Sequence, residues 1–209
     1  MKGKFVTFEG CEGVGKSKQI HLLEEYLKRN GIDYYLTREP GGTSVSEQIR
    51  AVILDGKNAS MTDECEAMLY AAARVQLLKE EIKPRLDAGQ LVLCDRYIDS
   101  SFAYQAYAKG LGFDYINAIN ERAIDGCMPD ATLFLNISPV DAFKRKGGAD
   151  VDDRIEQSGL DFHLKVYDGY LALKDKYKDR FLVIDCSGTA QQTHANIINA
   201  LKSKGVIDG

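Results

Sequence analysis

The sequence predicts an α/β fold in which a parallel sheet is covered by helices on both faces. Short apolar, β-rich runs alternate with longer segments of helical periodicity along the whole chain. The first of these runs leads into a glycine-rich loop, residues 10–17, and a helical segment follows at once. A chain of 209 residues with 44% hydrophobic and 28% charged residues is typical of a single globular domain. We therefore expect one domain spanning residues 1–209.

Five runs are typical of strands, and several of them are continuously apolar, as expected for strands buried on both faces. They are residues 5–9, 33–37, 91–95, 132–137 and 180–185. Helices are predicted over residues 16–30, 44–54, 63–88, 100–109, 115–125, 160–177 and 190–204. Pro84 should kink or restart the third helix, because proline lacks the backbone N–H. Ligands in such sheets bind at the carboxyl ends of the strands, so the residues that follow each strand are the site candidates.

Composition limits the classes of partner and the compartment. A net charge of −4 argues against general nucleic-acid or membrane binding. No apolar run approaches the ~18 residues of a membrane span. The first residues lead directly into the first strand without a signal-peptide pattern, so we expect a cytoplasmic protein. The five scattered cysteines are expected to be reduced thiols, and the three histidines to be surface residues, not metal ligands.

The loop after the first strand has the form of a phosphate-binding loop. Its residues are Gly10, Cys11, Glu12, Gly13, Val14, Gly15, Lys16 and Ser17. Successive backbone N–H groups of such a loop surround phosphates, and the helix N-terminus adds partial positive charge. Lys16 is expected to reach the β- and γ-phosphates, and the Ser17 hydroxyl to ligate Mg²⁺. The alternative is a turn that only joins strand to helix, but the surrounding strand and helix favour nucleoside triphosphate binding.

The third apolar strand ends in an acid followed by an arginine. Asp95 has the position of a Walker B aspartate, which holds Mg²⁺ directly or through water. Arg96 follows and can face a phosphate with its bidentate guanidinium. A simple salt bridge between the two is the alternative. The sequence contains no Asn-Lys-x-Asp guanine motif, which argues against a GTPase-type switch.

A proline- and glycine-containing loop follows the second strand. Pro40 forces the residue before it into an extended conformation, and Gly41 and Gly42 permit a tight turn. Such a loop can direct Arg38 and Glu39 into the cleft. The alternative is an exposed loop with ordinary charges.

Two helices carry residues suited to a nucleobase. Glu66, Tyr70 and Arg74 lie four residues apart on one helix face, where a base can stack on Tyr70 beside Arg74. A surface ion pair explains this stripe equally well. On the helix after the third strand, the donor and acceptor of Gln105 can read a base edge, while Tyr104 can fill space beside a sugar or pack in the core.

A charged, glycine-broken stretch follows the fourth strand. It contains Lys144, Arg145 and Lys146, two glycines, and then Asp153 and Arg154. Basic loops of this kind can close over a triphosphate and exclude water. A solvated run of charges is the alternative.

Taken together, these motifs resemble the bacterial thymidylate kinases over nearly the whole chain. The matching stretches are residues 8–10, 38–42, 70–74, 95–101, 103–105 and 153–156. The resemblance implies a P-loop kinase core with a five-stranded parallel sheet, a short lid segment at about 144–158, and a homodimer. It further implies that ATP and Mg²⁺ are used to phosphorylate dTMP.

The resemblance also assigns roles to residues at matching positions. Arg38, Arg74 and Arg96 would surround the dTMP phosphate, Tyr70 would stack on thymine, and Gln105 would hydrogen-bond the base. Tyr104 would crowd the sugar 2′ carbon, Glu12 would contact the sugar hydroxyl, and Ser101 belongs to the same site. Glu39 and Asp95 would lie near the metal and the sugar phosphate.

One departure from the family pattern concerns the positive charge on the transferring phosphoryl group. Family members carry an additional arginine either in the phosphate loop or in the lid, and Gly13 occupies the loop position here. We therefore expect Arg145, Lys146 or Arg154 to supply this charge. A kinase of the same fold acting on another small molecule, and a regulatory ATP-binding module, remain the alternatives.

Overall fold

A computed structural model describes residues 2–146 and 159–208 of the chain. Five strands form one parallel sheet in the order β2-β3-β1-β4-β5. Their bounds are β1 Phe5–Glu9, β2 Tyr34–Arg38, β3 Leu91–Asp95, β4 Ala131–Asn136 and β5 Phe181–Asp185. The predicted parallel α/β architecture is confirmed, and every strand lies within a residue or two of its predicted position.

The helices pack on both sides of this sheet, and the strands alternate with them along the chain. They are α1 Lys16–Arg29, α2 Ser44–Leu54, α3 Asp63–Leu77, α4 Lys83–Asp87, α5 Ile98–Ser101, α6 Phe113–Ile124, α7 Pro139–Lys146, α8 Leu160–Lys176 and α9 Ala190–Ser203. A short 3₁₀ turn, Gly56–Asn58, follows α2. No helix in the described part of the chain is both long and apolar enough to cross a membrane.

The central strands are apolar because both of their faces are covered. All five residues of β1 are buried, as are the first five residues of β4. The edge strand β5 instead leaves Val183 exposed. Because β1 pairs with β3, Phe8 stands opposite Asp95, and Arg38 of β2 stands opposite Asp95 from the other side. The carboxyl ends of three adjacent strands thus deliver the phosphate loop, Asp95 and Arg38 to one edge of the sheet.

Two predicted helices contain π-helical segments. The predicted helix 63–88 consists of α3, a first π-segment Leu78–Ile82, and α4. Pro84 lies in the first turn of α4, where its missing N–H costs least, so the predicted restart at this proline is confirmed. The predicted helix 100–109 is α5 followed by a second π-segment, Phe102–Ala108. π-helical turns are rare and frequently occur at functional sites.

The sequence analysis did not predict α7. This helix is short, and its signal lies at its start: Pro139 is its first residue, and the Ser138 hydroxyl accepts from the Asp141 N–H at 3.2 Å. Serine before the helix and proline at its first position are an ordinary N-terminal signature. Eight residues are too short a window for apolar periodicity to identify such a helix.

Candidate active site

The phosphate loop joins β1 to α1 through residues with positive φ. Gly10 has φ 145°, and a Cβ atom there would lie 2.9 Å from the Leu135 carbonyl oxygen, so only glycine fits. Gly15 has φ 93° and precedes the first residue of α1. These conformations point the start of α1 at the cavity, which is the geometry that binds anions at a helix N-terminus.

Lys16 lies almost entirely out of water beneath this loop. Its Nζ donates to the carbonyl oxygens of Gly10 and Cys11 at 3.3 and 3.2 Å. Burial lowers the pKa of Lys16, and the positive charge of Arg96 lowers it further, while Glu12 and Asp95 oppose the change. An additional anion at the loop would therefore be favourable, because it offsets the cost of burying this ammonium group.

Cys11 is a structural residue of the loop. Its side chain is buried, and the thiol lies 3.9 Å from the His163 carbonyl oxygen. Burial raises the pKa of Cys11 to about 12, so the nucleophilic thiolate is scarce at neutral pH. His163 itself is fully buried between Phe143 and Phe162, so its predicted surface position is wrong. One histidine within an amphipathic helix gives no sequence signal that separates core from surface.

A cavity of about 800 Å³ runs from the phosphate loop across the carboxyl ends of β2 and β3 to α3 and the second π-segment. Most of the predicted site residues line it: Glu12, Gly13, Val14, Gly15, Lys16, Ser17, Arg38, Glu39, Tyr70, Arg74, Asp95, Arg96, Ser101, Tyr104, Gln105 and Arg145. Gly10 and Cys11 do not line the cavity. Arg154 lies outside the described residues.

Arg96 connects the phosphate loop to β3. It has φ 69°, a left-handed conformation that is uncommon for a residue other than glycine, and its N–H donates to the Phe8 carbonyl at 3.0 Å. Nη1 lies 3.1 Å from the Gly10 carbonyl and 3.1 Å from the Ser100 hydroxyl, and Nη2 pairs with Glu12. The guanidinium is therefore fixed between the phosphate loop and the segment of residues 98–101, in the wall of the cavity.

Beneath Arg96 lies a buried acid, Glu9, that the sequence analysis did not single out. Glu9 accepts from the Tyr97 N–H at 2.8 Å, the Ser100 hydroxyl at 2.6 Å and the Tyr170 hydroxyl at 2.7 Å. Burial and then the neighbouring Asp99 raise the pKa of Glu9 to about 7, against the pull of Arg96. Glu9 thereby ties β1 to α5 and α8 and supports the backbone that carries Arg96.

Glu39 and Arg74 form a buried ion pair in the wall of the cavity. Arg74 donates to Glu39 Oε2 from Nε at 2.9 Å and from Nη2 at 2.6 Å. It also donates to Ser101 Oγ and to Asn120 Oδ1. Burial raises the pKa of Glu39 to about 7, although Arg74 opposes this. The second carboxylate oxygen of Glu39 accepts nothing from the described residues and is buried, so it remains for a ligand.

The far end of the cavity is suited to a planar ring. Tyr70 lines it from α3, and Tyr104 and Gln105 line it from the second π-segment. Gln105 is 2% exposed and donates from Nε2 to Glu66 Oε1 at 2.9 Å. The Tyr104 hydroxyl lies 3.4 Å from Glu12. This contact connects the second π-segment to the phosphate loop.

Two predicted arginines bind protein groups at the rim. Arg38 is half exposed, and its Nη2 donates to both carboxylate oxygens of Glu47 at 2.8 Å. Arg145 lines the cavity and donates to the carbonyl oxygens of Cys186 and Ser187 at 2.7 and 2.9 Å. Both side chains line the cavity while bonded to protein groups.

Sequence reasoning missed Arg50, which also lines the cavity. Its Nη1 donates to the Pro40 carbonyl oxygen at 3.0 Å. Arg50 thus extends from α2 and is fixed by the loop after β2. The only sequence signal was its place on the helix that follows that loop. An arginine on an amphipathic helix is ordinarily a solvated residue.

The residues suggested for a metal fit a hard divalent cation. Asp95 Oδ1 is buried without a partner among the described residues, and Ser17 is exposed and lines the same cavity. Carboxylate and hydroxyl oxygens are the ligands that Mg²⁺ prefers, with substrate phosphates and water completing its shell. The described residues contain no cluster of three or more acidic, histidine or cysteine side chains that would hold a metal alone.

A phosphate loop on a parallel sheet, facing a second subsite lined by arginines and aromatic rings, defines a P-loop phosphotransferase of the nucleoside monophosphate kinase class. The family model described as thymidylate kinase matches residues 8–197. The thymidylate kinase of Clostridium novyi (strain NT) is 46% identical over 203 residues, covering 96% of this chain and 99% of that protein. Those of Thermoanaerobacter sp. (strain X514) and Geobacillus sp. (strain WCH70) are 44% and 45% identical, with at least 96% of each chain covered. The chain belongs to the thymidylate kinase family.

Proposed function

We propose that this protein transfers the γ-phosphoryl group of ATP to dTMP, forming dTDP and ADP, as a step of dTTP synthesis. The main support for this proposal is one cavity that joins a phosphate loop at one end to an arginine- and tyrosine-lined pocket at the other. Family membership supports the choice of substrates. ATP binds at the loop end, and dTMP binds at the end formed by α3 and the second π-segment.

At the donor end, residues 10–17 surround the phosphates and Lys16 neutralises the β- and γ-phosphates. Asp95 and Ser17 hold Mg²⁺, which supplies positive charge to the phosphate oxygens when bound. The unpartnered oxygen of Asp95 supports this role. Burial of Lys16 strengthens its interaction with an incoming anion, because little water screens it.

At the acceptor end, Arg96 binds the dTMP phosphate, with Arg38 reaching from the rim and Arg74 behind it. Tyr70 stacks on the base, Gln105 hydrogen-bonds it, and Ser101 lies beside it. Tyr104 and Glu12 face the sugar, and Glu39 lies between the sugar phosphate and the metal. Most donors of Arg74 are taken by Glu39, Ser101 and Asn120, which makes Arg74 the least available of the three arginines.

The reaction needs no general base. An oxygen of the dTMP phosphate is already anionic near neutral pH and attacks the γ-phosphorus, while the bond to the β-phosphate oxygen breaks and ADP leaves. Catalysis then consists of holding two anionic ligands in line and neutralising their repulsion. The contacts of Arg96 with Gly10 and Glu12 of the phosphate loop support a role for it in this neutralisation. Arg145 and Arg154 are the candidates for the remaining positive charge.

We also propose that the whole chain is one kinase domain, that residues 144–158 are its lid, and that two copies form a homodimer in the cytoplasm. One apolar core extending from Phe5 to Ile207 supports the single domain. A groove of about 430 Å³ between α3 and α6, with Met68 53% exposed beside it, supports a dimer surface there. Sedimentation velocity tests the dimer: a monomer at micromolar concentration contradicts it.

A coupled ADP-release assay tests the activity. ATP and Mg²⁺ are supplied with dTMP, dUMP, dCMP, dGMP or AMP as acceptor, and dTMP is expected to give the highest kcat/KM. A preference for another nucleotide would indicate a different kinase of the same fold. ATP binding without ADP release for any acceptor would indicate a regulatory nucleotide-binding module.

A further inference from the structure

A buried polar cluster backs the pocket proposed for the base. Gln105 Nε2 donates to Glu66 Oε1 at 2.9 Å, and Lys109 Nζ donates to Glu66 Oε2 at 2.7 Å. Lys109 also pairs with Asp63 at 2.8 Å. The side chain of Glu66 is completely buried, and that of Lys109 nearly so. The cluster connects two consecutive turns of α3 to the end of the second π-segment.

The chemistry of this cluster decides which end of the Gln105 amide faces the cavity. A carboxylate only accepts hydrogen bonds, so the amide meets Glu66 with its NH₂ group. The reverse orientation would place two acceptor oxygens against each other in a buried site. The ammonium group of Lys109 compensates the charge of Glu66. Because an ammonium group only donates hydrogen bonds, it cannot replace Glu66 as the acceptor for the Gln105 NH₂ group. The amide orientation therefore follows from its neighbours.

Gln105 consequently offers its carbonyl oxygen to a ligand. Gln105 lines the cavity, and its Oε1 accepts no hydrogen bond within the described part of the chain. We infer that Glu66 and Lys109 are positioning residues for base specificity, because they hold Gln105 with an acceptor toward the base. This inference rests on the proposed function and concerns the same pocket.

The inference specifies which bases the pocket accepts. Thymine and uracil present an N3–H donor at the centre of their pairing edge, which matches a carbonyl oxygen. Cytosine presents an unprotonated N3 there, and its lone pair faces the lone pairs of Oε1. A site built to hydrogen-bond one ligand group discriminates strongly against an analogue that lacks this group, because the buried polar atom of the site is then left unpaired. The cluster separates thymine and uracil from cytosine and does not separate thymine from uracil.

The test is the variant Glu66→Gln, assayed with dTMP, dUMP and dCMP. A glutamine of the same size can donate as well as accept, so Gln105 is released to turn its NH₂ group toward the base. The dTMP-to-dCMP ratio of kcat/KM is expected to fall at least tenfold, through a higher KM for dTMP and increased use of dCMP. The dTMP-to-dUMP ratio is expected to stay within twofold.

Asp63→Asn is the matched control, since Asp63 accepts from Lys109 Nζ at 2.8 Å, as Glu66 does, but does not hold the Gln105 amide. Its dTMP-to-dCMP ratio is expected to equal that of the wild-type protein. If Glu66→Gln fails to fold, Lys109→Gln is measured in its place, with the same expected direction. A change of equal size for dTMP and dCMP would overturn the inference, because loss of packing affects both alike.

Failure of the proposed function is distinguishable from failure of this inference. A wild-type protein that does not phosphorylate dTMP removes the proposed function. Calorimetric titration of dTMP and dCMP into the wild-type and Glu66→Gln proteins then still measures base preference without turnover. Equal affinity of the wild-type protein for dTMP and for dTMP methylated at N3 would also overturn the inference.

Discussion

At the scale of single residues, the site consists of charged side chains held almost out of water. Lys16, Glu39 and Arg74 are each less than one-tenth exposed. Such charges interact strongly with one another and with a ligand, because the surrounding dielectric is low. Truncating one of them leaves the charge of its partner buried without compensation. This lowers the free energy of unfolding more than the loss of a surface ion pair does.

We expect Lys16→Ala to reduce kcat at least a hundredfold while the fold is kept. The lost ammonium group faces the position of the β- and γ-phosphates, and a single preorganised donor is worth roughly 10²–10³ in rate. The ADP-release assay measures the loss, and circular dichroism checks the fold. Lys28→Ala is the control, since Lys28 is an exposed residue near the other end of the same helix. Near-normal turnover of Lys16→Ala would contradict the assignment of the ATP subsite.

We expect Arg96→Ala to weaken dTMP binding ten- to hundredfold. Hydrogen bonds to charged groups contribute about 1.5–3 kcal/mol each, and Arg96 is proposed to hold the acceptor phosphate. Calorimetry with dTMP and with thymidine separates the phosphate contact from the base contact. Thymidine affinity should change less than twofold. An equal loss for both ligands would mean that Arg96 supports the pocket as a whole.

At the scale of elements, the sequence predicts most of the fold and much of the site, since strong periodicity and the phosphate-loop spacing are local signals. It does not reveal the π-segments, because an extra residue in a helical turn changes hydrogen bonding without changing composition. Glu9 and Arg50 were missed for a different reason. The role of Glu9 comes from contacts with residues far along the chain, such as Tyr170, and that of Arg50 from the folded loop around Pro40.

We expect Gly169→Ala to destabilise the protein, although alanine is the better helix former. A Cβ atom at residue 169 of α8 would lie 3.0 Å from Ala103 Cα and 3.1 Å from the Ala103 carbonyl oxygen, so α8 and the second π-segment would have to separate. Overpacking of this kind costs about 1–3 kcal/mol, which exceeds the gain of roughly 1 kcal/mol in helix propensity. Urea unfolding measures the change. The comparison is Gly56→Ala, where a Cβ meets no atom within 4 Å and no loss is expected.

The segment after β4 should contain the residue that stabilises charge during transfer. Arg145 is occupied by the carbonyl oxygens of Cys186 and Ser187, so Arg145→Ala is expected chiefly to raise the KM for ATP. Arg154→Ala is expected to lower kcat at least a hundredfold with little change in dTMP affinity, because an arginine on a transferring phosphoryl group is worth ~10³–10⁵.

Lys144→Ala is the control for this segment, because Lys144 is largely exposed on α7. Steady-state kinetics and dTMP titration of the three variants distinguish their roles. Unchanged kcat in both arginine variants would leave Lys16, Arg96 and Mg²⁺ as the sources of positive charge.

At the scale of the whole molecule, Glu9 makes stability depend on pH. Its pKa is raised from 4.5 to about 7 in the folded protein, so the folded state binds more protons than the unfolded state between these values. The free energy of unfolding therefore decreases as pH rises through this range. The stabilising contribution of protonated Glu9 is complete below pH 4.5 and is lost as pH passes 7.

We expect Glu9→Gln to gain stability relative to the wild-type protein as pH increases from about 5 to about 7.5. The amide does not titrate, and at roughly 1.4 kcal/mol per pKa unit the relative gain is about 2 kcal/mol. Urea unfolding at the two pH values measures it. Glu121→Gln, at an exposed position of α6, controls for the loss of a carboxylate in general. A constant difference between wild-type and Glu9→Gln proteins would show that Glu9 has the same charge in both states.

The position of β1 in the middle of the sheet has a consequence for biosynthesis. Its two neighbours are residues 92–95 and 131–134, so β1 cannot be paired on both sides until the ribosome has released both later strands. Until then the nascent segment exposes the apolar Phe5–Glu9 run, and chaperones are its natural partners. Pairing across such long loops is a late, slow event. Because the phosphate loop begins where β1 ends, formation of the ATP subsite depends on the pairing of β1 within the sheet.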